Sequence, residues 1–335
     1  MALPLARLTQ SGGRRLALTF GYSVGVIGAV LAIFGGANRN LFFMLLGAFM
    51  VGAASASGYQ ARFAEIDLAT PEKRSKDLSF VVWGSTIGAV TGPNLMEPSG
   101  LFAAALGLPK LVGPYFIAAF TLALSVTVIQ LFLKPDPFLT ANKAVEGAAT
   151  KPHESMRSAL KHIREYPIAL FAIASVAIGH LAMVSIMVMT PVHMAHSDAS
   201  LRIIGLVISV HVLGMYAFSP IFGWLSDRIG KLPTILLGQA ILVIALLVSG
   251  FGSEDQTLIS IGLFLIGLGW SAATVSGSAM LAETVPLDQK TNVQGVSDML
   301  MMLAGAFGGA IAGNILALVK FVGLNLASLV PVVIV

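Results

Sequence analysis

The chain has 335 residues, of which 56% are hydrophobic and only 11% are charged, and it contains no cysteine. A soluble globular protein is about 25% charged, so a chain with this little charge is expected to lie in lipid. The lack of cysteine excludes disulfides, thiolate catalysis and cysteine metal sites.

The first fifteen residues are not typical of a signal peptide, because they contain no apolar core that ends at a small-residue cleavage site. About 20 apolar residues cross the hydrocarbon core as a helix. Ten apolar segments are predicted to be membrane spans, the last of them short: 16–34, 41–60, 78–95, 112–133, 167–190, 203–222, 232–250, 258–281, 291–312 and 321–335. The sequence therefore predicts an all-α polytopic membrane protein.

Residues 223–231 (Gly-Trp-Leu-Ser-Asp-Arg-Ile-Gly-Lys) form a short charged turn between the sixth and seventh predicted spans. Gly223 and Gly230 suit a tight reversal, since glycine accepts dihedral angles that other residues resist. Asp227 can face the positive end of a neighbouring helix. An ordinary hairpin could contain Asp227 and Arg228, but rarely both glycines as well.

This turn resembles the signature loop of the major facilitator superfamily of secondary transporters, G-x-L-[AS]-D-R-x-G-[RK]-[RK]. Only the last position departs, where Leu232 replaces a basic residue. The resemblance implies a helical bundle of two pseudo-symmetric halves that moves a small solute by alternating access. It also implies a conformational latch formed by Gly223, Asp227, Arg228, Gly230 and Lys231.

A weaker copy of the pattern begins at Ala6, 217 residues before Gly223, and keeps Leu8, Gly13, Arg14 and Arg15. In the family the first copy follows the second span, yet almost nothing precedes it here. The resemblance therefore implies a truncated chain that covers spans three to twelve. Its expected parts are a partial N-terminal half at 1–133, a cytoplasmic interdomain loop at 134–166 and a C-terminal half at 167–335.

Most of the 20 Lys and Arg residues lie in loops on the signature-loop side of the predicted spans; the exceptions are Arg39, Lys110, Arg202 and Lys320. Because Lys and Arg accumulate on the cytoplasmic side, we expect the signature loops to be cytoplasmic. The same distribution explains the pI near 9.4 without a nucleic-acid partner. Residues 155–165 could form a short amphipathic helix on the membrane surface.

The third predicted span contains small residues at four-residue spacing, which permits close approach of helices. These residues, Gly84, Gly88, Gly92 and the following Pro93, are similar to the antiporter motif of proton-driven drug exporters. Residues 94–97 lack the glycine pair that closes that motif. A general packing face and an antiporter motif are both compatible with this segment.

One charged residue within a predicted span and one near the end of another are candidates for transport, because ionisable groups in a membrane are costly and usually functional. Asp298 lies about two turns inside the ninth predicted span and is predicted to carry a proton or to make a gating contact. Arg62 lies near the end of the second predicted span. There it could act in proton coupling or reach the interface as an anchor.

His180 and His211 lie within the fifth and sixth predicted spans. Histidine titrates near neutral pH, so either could respond to protons or bind solute; a packing role is the alternative. His193 and His196 are spaced for a metal ion, but no third ligand is near them in the sequence. We therefore predict no metal site.

The sequence has no phosphate-binding glycine loop after a strand and no His-Glu metal motif. We therefore expect no ATP coupling, no cofactor and no enzyme activity; a membrane-embedded enzyme would need a polar cluster. The resemblance to bacterial drug and metabolite exporters implies proton-coupled efflux by an inner-membrane antiporter, acting as a monomer in the lipid bilayer. The alternative is a non-transporting truncated remnant or a membrane partner protein.

Overall fold

The computed structural model describes residues 1–144, 166–285 and 287–335, and the regular elements within these ranges are all helical. The all-α membrane fold predicted from the sequence is thereby confirmed. The predicted amphipathic helix at 155–165 lies outside the described residues. The α-helices of the described ranges are α1 Ala2–Ala37, α2 Leu41–Ile66, α3 Arg74–Asn94, α4 Met96–Ala105, α5 Gly113–Phe132, α6 Pro137–Ala144, α7 Pro167–His196, α8 Leu201–Tyr216, α9 Ser219–Ile229, α10 Lys231–Phe251, α11 Gln256–Thr284 and α12 Leu287–Ile334.

The chain divides into two compact units. Unit 1 contains residues 1–68 and the described part of 91–154. Within it α1 packs along α2 and α5, and α4 packs on α5. The α1 and α2 backbones approach closely, because a Cβ at Gly47 would collide with main-chain atoms of Gly28 and Ala32. Small residues permit such close approach when no hydrophobic force drives helices together in lipid.

Unit 2 contains residues 69–90 and the described part of 155–335. Within it α11 packs against α7, α8, α9 and α10, and α7 also packs along α12. All residues of α11 from 269 to 282 are buried. An apolar cluster joins three of these helices through Ala172 and Phe171 of α7, Ile235 of α10 and Met280 of α11.

Eight candidate membrane spans, counted by length and composition, occur among the described residues, two fewer than the ten predicted. One difference is α3, which matches the third predicted span. It has 21 residues, enough to cross, but is not among the eight. Its polar residues, including Asp77, Ser85 and Thr86, reduce its hydropathy.

The other difference is α12, which carries both the ninth and the tenth predicted spans. It has 48 residues, so its length of about 72 Å is more than twice that of a hydrocarbon core of about 30 Å. Lys320, with φ 60° and ψ −175°, interrupts its helical conformation. This break lies between the two segments that the sequence separates.

Candidate functional site

The signature loop is a helix–glycine–helix junction in unit 2. Between α9 and α10, Gly230 has φ 104° and ψ 155°, a conformation that strains residues with a Cβ. Gly223 on α9 is needed for a different reason. A Cβ at this position would overlap the side chain of Ser79 and the carbonyl oxygen of Ser75. The two glycines therefore allow the reversal and the close approach of α9 to α3.

Asp227 caps the first turn of α3. Its carboxylate accepts hydrogen bonds from the backbone N–H groups of Ser75 at 3.1 Å and Lys76 at 2.8 Å. The first N–H groups of a helix have no intrahelical partner, and the helix dipole makes this end positive. A carboxylate at this position satisfies both the donors and the charge.

Two serine hydroxyls of α9 extend the contact with α3. The Ser226 hydroxyl donates to the Ser75 hydroxyl at 3.0 Å. The Ser219 hydroxyl lies 3.0 Å from the Ser79 carbonyl oxygen and 2.7 Å from that of Tyr216. The α9–α3 contact thus consists of hydrogen bonds along more than two turns of α9 and about one turn of α3.

Ion pairs surround this contact. Lys231 Nζ lies 3.0 Å from the Glu283 carboxylate and 3.8 Å from that of Asp227, and the Arg74 guanidinium lies 3.8 Å from Glu283. These side chains are partly exposed, so each pair contributes about 0.2–1 kcal/mol. Two acids and two bases nevertheless connect α3, α9, α10 and α11. We call the set of Arg74, Ser75, Lys76, Asp227, Lys231 and Glu283 the junction cluster.

Arg228, predicted to act beside Asp227, lies elsewhere. Its guanidinium is 5.1 Å from the ring centroid of Trp224, and both residues are on the exposed side of α9. This is a cation–π contact at the helix surface. The latch role predicted for Arg228 stays a prediction.

The weaker copy of the loop in unit 1 has the same backbone break. Gly13, with φ 86° and ψ 173°, interrupts α1. The next residue, Arg14, is buried and bonds the Asp67 carboxylate through Nε at 2.8 Å and the Gln60 side chain at 3.1 Å. In both copies a basic residue directly after the glycine pairs with an acid at the C-terminal end of the second helix after that glycine, α2 or α11.

A carboxylate outside the first copy supplies its helix cap. Gln10 stands where the second copy has its aspartate. The Asp136 carboxylate accepts hydrogen bonds from the N–H groups of Arg15 at 2.7 Å and Phe138 at 3.0 Å. One side chain therefore caps both the second segment of α1 and the start of α6.

Arg62 is buried on α2 rather than exposed at the surface. It is 3% exposed, and its guanidinium lies 4.8 Å from the ring centroid of Phe63 and 5.7 Å from that of Tyr59. The aromatic faces offset part of the desolvation of the guanidinium.

His180 lies among four helices of unit 2. The indole Nε1–H of Trp270 on α11 donates a hydrogen bond to His180 Nδ1 at 3.0 Å. The Trp270 ring meets the Tyr216 ring of α8 edge to face, with centroids 5.8 Å apart. On the α12 side the backbone of Gly305 is so close that a Cβ would lie 2.6 Å from His180 Cδ2.

Asp298 on α12 and His211 on α8 are both fully buried. His211 Nδ1 lies 2.7 Å from the Leu263 carbonyl oxygen, and its Nε2 has no hydrogen-bond partner among the described residues. A groove of about 370 Å³ lies between α8 and α11, lined in part by Val210 and Phe264. The predicted cavity-facing roles of Asp298 and His211 stay predictions.

The histidine pair at the end of α7 is used in backbone contacts. His193 Nε2 lies 2.7 Å from the Ser253 carbonyl oxygen, and its ring stacks on Phe321. His196 Nδ1 lies 2.7 Å from the Val192 carbonyl oxygen. In the part of the chain that the structure describes, no group of three His, Asp or Glu residues could hold a metal ion.

Small residues lie at four-residue spacing along one face of α3. A Cβ added at Gly84, Gly88 or Gly92 would meet no atom within 4 Å among the described residues. The packing and antiporter roles predicted for this face, which also includes Pro93 within α3, stay predictions.

Sequence reasoning did not find Trp270. The sequence places Asp67 and Glu283 in equivalent turns of the two halves, where acids at helix starts explain them, but it does not indicate that they pair with Arg14 and Lys231. Trp270 lies in an apolar run with no charged neighbour, and only the tertiary structure brings it to His180.

The comparison with a family model gives one clear match. The model of the Major Facilitator Superfamily matches residues 1–198 and 176–335. The chain is 34% identical over 341 residues to an uncharacterized MFS-type transporter of Bacillus subtilis, YdeG, covering 99% of this chain and 79% of that protein. It is 25% identical over 320 residues to the riboflavin transporter RfnT of Brucella anthropi, covering 94% and 76%.

Among solved structures, the human organic anion transporter MFSD10 shares the fold. Its TM-score is 0.73 at 18% sequence identity, and the match covers 99% of this chain and 78% of that one.

Proposed function

Because this chain belongs to the major facilitator superfamily, we propose that it exports a small solute in exchange for protons by alternating access. It is an integral multi-pass membrane protein of a transporter family, and that family is not one of enzymes. The alternative of a non-transporting remnant or partner protein is not favoured, because the family match extends through both halves of the chain.

The junction cluster is the observation that supports the proposal most directly. Alternating access requires a contact that is made in one state and broken in the other. Asp227 bonds the first amides of α3, which lie about 150 residues earlier in the chain. This contact consists of a few charge-assisted hydrogen bonds and partly exposed ion pairs, so it can open at modest cost.

Proton coupling is proposed for Asp298, with His180, His211 and Arg62 as further candidates. A fully buried carboxyl on a membrane helix is a functional candidate by default, since burial of its charge is costly. Export rather than import rests on the resemblance of the Gly84–Pro93 segment to the antiporter motif.

We further propose that the protein acts as a monomer in a bacterial inner membrane, with both loop copies in the cytoplasm. The relatives in Bacillus and Brucella fit a bacterial location. Riboflavin is one candidate solute, because the Brucella anthropi relative is a riboflavin transporter.

The test measures proton flux in inside-out membrane vesicles with a pH-sensitive dye, while riboflavin, sugars and lipophilic cations are added in turn. We expect flux with at least one solute, and we expect Asp298→Asn to abolish it. Asp198→Asn, the same exchange at an exposed position beyond α7, is the matched control and should keep the flux.

Flux that persists in Asp298→Asn would remove Asp298 from the proposal. Proton-coupled export as a whole would be wrong if inserted, folded protein exchanged radiolabelled solute without any movement of protons.

A further inference from the structure

His180 is bonded in a way that specifies its protonation state. An indole N–H can only donate a hydrogen bond, so His180 Nδ1 must accept from Trp270. In a neutral imidazole one nitrogen accepts and the other carries the proton, which places the proton of His180 on Nε2. A protonated imidazole has N–H groups on both nitrogens and has no acceptor. The Trp270 bond therefore exists only while His180 is neutral.

Burial makes this dependence strong. Trp270 is 2% exposed and His180 is 7% exposed, so water is not at hand to replace a lost partner. Protonation of His180 would place two N–H donors against each other and leave a buried indole N–H unsatisfied. The Gly305 backbone lies on the α12 side of the ring, so the imidazole cannot shift toward α12 to relieve this.

A continuous set of contacts leads from Trp270 to the α9–α3 contact. The Trp270 ring packs edge to face on Tyr216, the last residue of α8. The single hydroxyl proton of Ser219 is shared between the carbonyl oxygens of Tyr216 at 2.7 Å and of Ser79 on α3 at 3.0 Å. Ser79 lies one turn beyond Ser75, whose amide is held by Asp227.

Other ionisable groups on the packed helices are few. On α7 the remaining ones are His193 and His196 at its far end, and on α11 the one charged residue is Glu283. On α12 the nearest is Asp298, seven residues before Gly305. On α8 they are Arg202, His211 and the Tyr216 phenol, and on α10 the one charged residue is Lys231. Asp298 and His211 are thus the titratable groups that could compete with His180 in a pH experiment.

From these contacts we infer that Trp270 and Tyr216 are positioning residues that couple the protonation of His180 to the junction cluster. Neutral His180 fixes Trp270, Trp270 fixes the end of α8 through Tyr216, and the Ser219 bonds then hold α9 on α3. Proton uptake by His180 releases Trp270 and loosens this contact. The coupling deepens the proposed function by naming the contact that a proton would break, and it rests on that function only for its role in transport.

Tryptophan fluorescence tests the first step without any transport. The other two tryptophans, Trp83 and Trp224, are 44% and 48% exposed. Trp83→Phe with Trp224→Phe therefore leaves Trp270 as the sole emitter. We expect its emission to fall as the pH is lowered from 9 to 5, since a protonated imidazole quenches indole. Glutamine accepts a hydrogen bond through its carbonyl oxygen but does not titrate, so His180→Gln should keep the emission constant.

A second variant distinguishes a response of the His180–Trp270 pair from a non-specific effect of low pH on the emission. Gly305→Ala places a methyl group where the His180 ring lies and should displace the ring from Trp270. We expect the pH response to be lost in this variant as well. Emission that stays constant with pH while His180 is present would overturn the inference. A pH response that persists unchanged in His180→Gln would overturn it as well, because that response would then come from Asp298 or His211.

The second step is measured through a cysteine introduced into the cysteine-free chain. Lys76→Cys keeps the amide that Asp227 holds and places a thiol at the exposed start of α3. The rate of maleimide labelling is corrected for thiol ionisation by reference to Lys73→Cys. We expect the corrected rate at position 76 to be several-fold higher at pH 5 than at pH 8. Tyr216→Ala should abolish this difference and leave the Trp270 emission response intact. Equal labelling at both pH values would overturn the coupling.

The results distinguish this inference from the proposed function. A fluorescence and labelling response without solute-driven proton flux would leave the coupling standing and remove proton-coupled export. Flux without either response would leave export standing and remove the coupling through Trp270.

Discussion

Single charged residues in this protein are satisfied by partners that lie far along the chain. Asp227 bonds amides about 150 residues earlier, and buried Arg14 bonds Asp67 across two helices. A charge that loses such a partner remains poorly solvated. Its desolvation penalty then exceeds the net stabilisation that the contact had contributed. The residue-level predictions follow from this asymmetry.

Asp227→Ala removes the cap of α3 and should lower the free energy of unfolding by about 1–2 kcal/mol. Asp227→Asn keeps an oxygen acceptor but not the charge, so its loss should be smaller. Thermal unfolding of the purified protein in detergent measures both. Glu254→Ala, at an exposed position between α10 and α11, is the control and should change little. Equal stability of Asp227→Ala and this control would contradict the capping role.

Arg14→Met leaves the Asp67 carboxylate buried without its guanidinium and should cost about 3–5 kcal/mol. Adding Asp67→Asn to this variant removes the buried carboxylate charge and should restore part of the stability. Chemical unfolding of the two single variants and the double variant gives the coupling energy. Additive losses would show that the two side chains do not depend on each other.

At the scale of helices, close approach and capping decide which substitutions are tolerated. Gly223 faces Ser75 and Ser79 of α3, whereas Gly205 on α8 has open space around it. Gly223→Ala should therefore destabilise unit 2 by about 1–3 kcal/mol through overpacking. The matched exchange Gly205→Ala should be neutral or stabilising by up to about 1 kcal/mol, because alanine favours helices. Thermal unfolding compares the two, and a larger loss in Gly205→Ala would contradict the close packing of α9 on α3.

The carboxylate that caps the start of α11 predicts that the stability of the folded protein depends on pH. Asp255 accepts hydrogen bonds from the N–H groups of Thr257 at 2.7 Å and Leu258 at 3.3 Å. These bonds lower the pKa of Asp255 from its ordinary value of 3.8. Since the folded pKa lies below the unfolded one, the stabilisation is present above the unfolded pKa and is lost as the pH falls through the folded pKa.

Asp255→Ala should accordingly unfold at a lower temperature than the native chain at neutral pH, and the gap should close in acid. Melting temperatures measured over a pH series test this. A gap of constant size at every pH would mean that the effect of the substitution is not the carboxylate cap.

The sequence predicts some of these element-scale features and not others. The Gly230 break follows from the signature loop, and the apolar pattern separates the two segments of α12 that Lys320 divides. The identity of the helix that Asp227 caps has no local signal, because Ser75 and Asp227 meet only in the folded chain. The glycine spacing of α3 permits close approach of another helix but does not identify which helix that is. The Trp270–His180 pair likewise depends on packing between apolar helices that periodicity cannot align.

At the scale of the whole molecule, the distribution of Lys and Arg predicts which ends of the helices are cytoplasmic. The lack of cysteine allows a direct test with single introduced thiols. A membrane-impermeant maleimide added to intact cells should label Arg39→Cys and leave Lys143→Cys unlabelled. Both positions are exposed, so permeabilised cells should show labelling of both. The reverse pattern in intact cells would invert the proposed orientation.

The bonds from Asp227 to α3 also determine which positions of the junction cluster tolerate substitution during evolution. At position 76 the carboxylate bonds a main-chain amide, which every amino acid except proline supplies. Saturation mutagenesis should therefore find position 76 permissive, with Lys76→Pro as the outlier, while position 227 accepts little besides aspartate. The bonds from Asp227 can thus persist in relatives whose α3 sequences differ widely, because on the α3 side they depend on the main chain only.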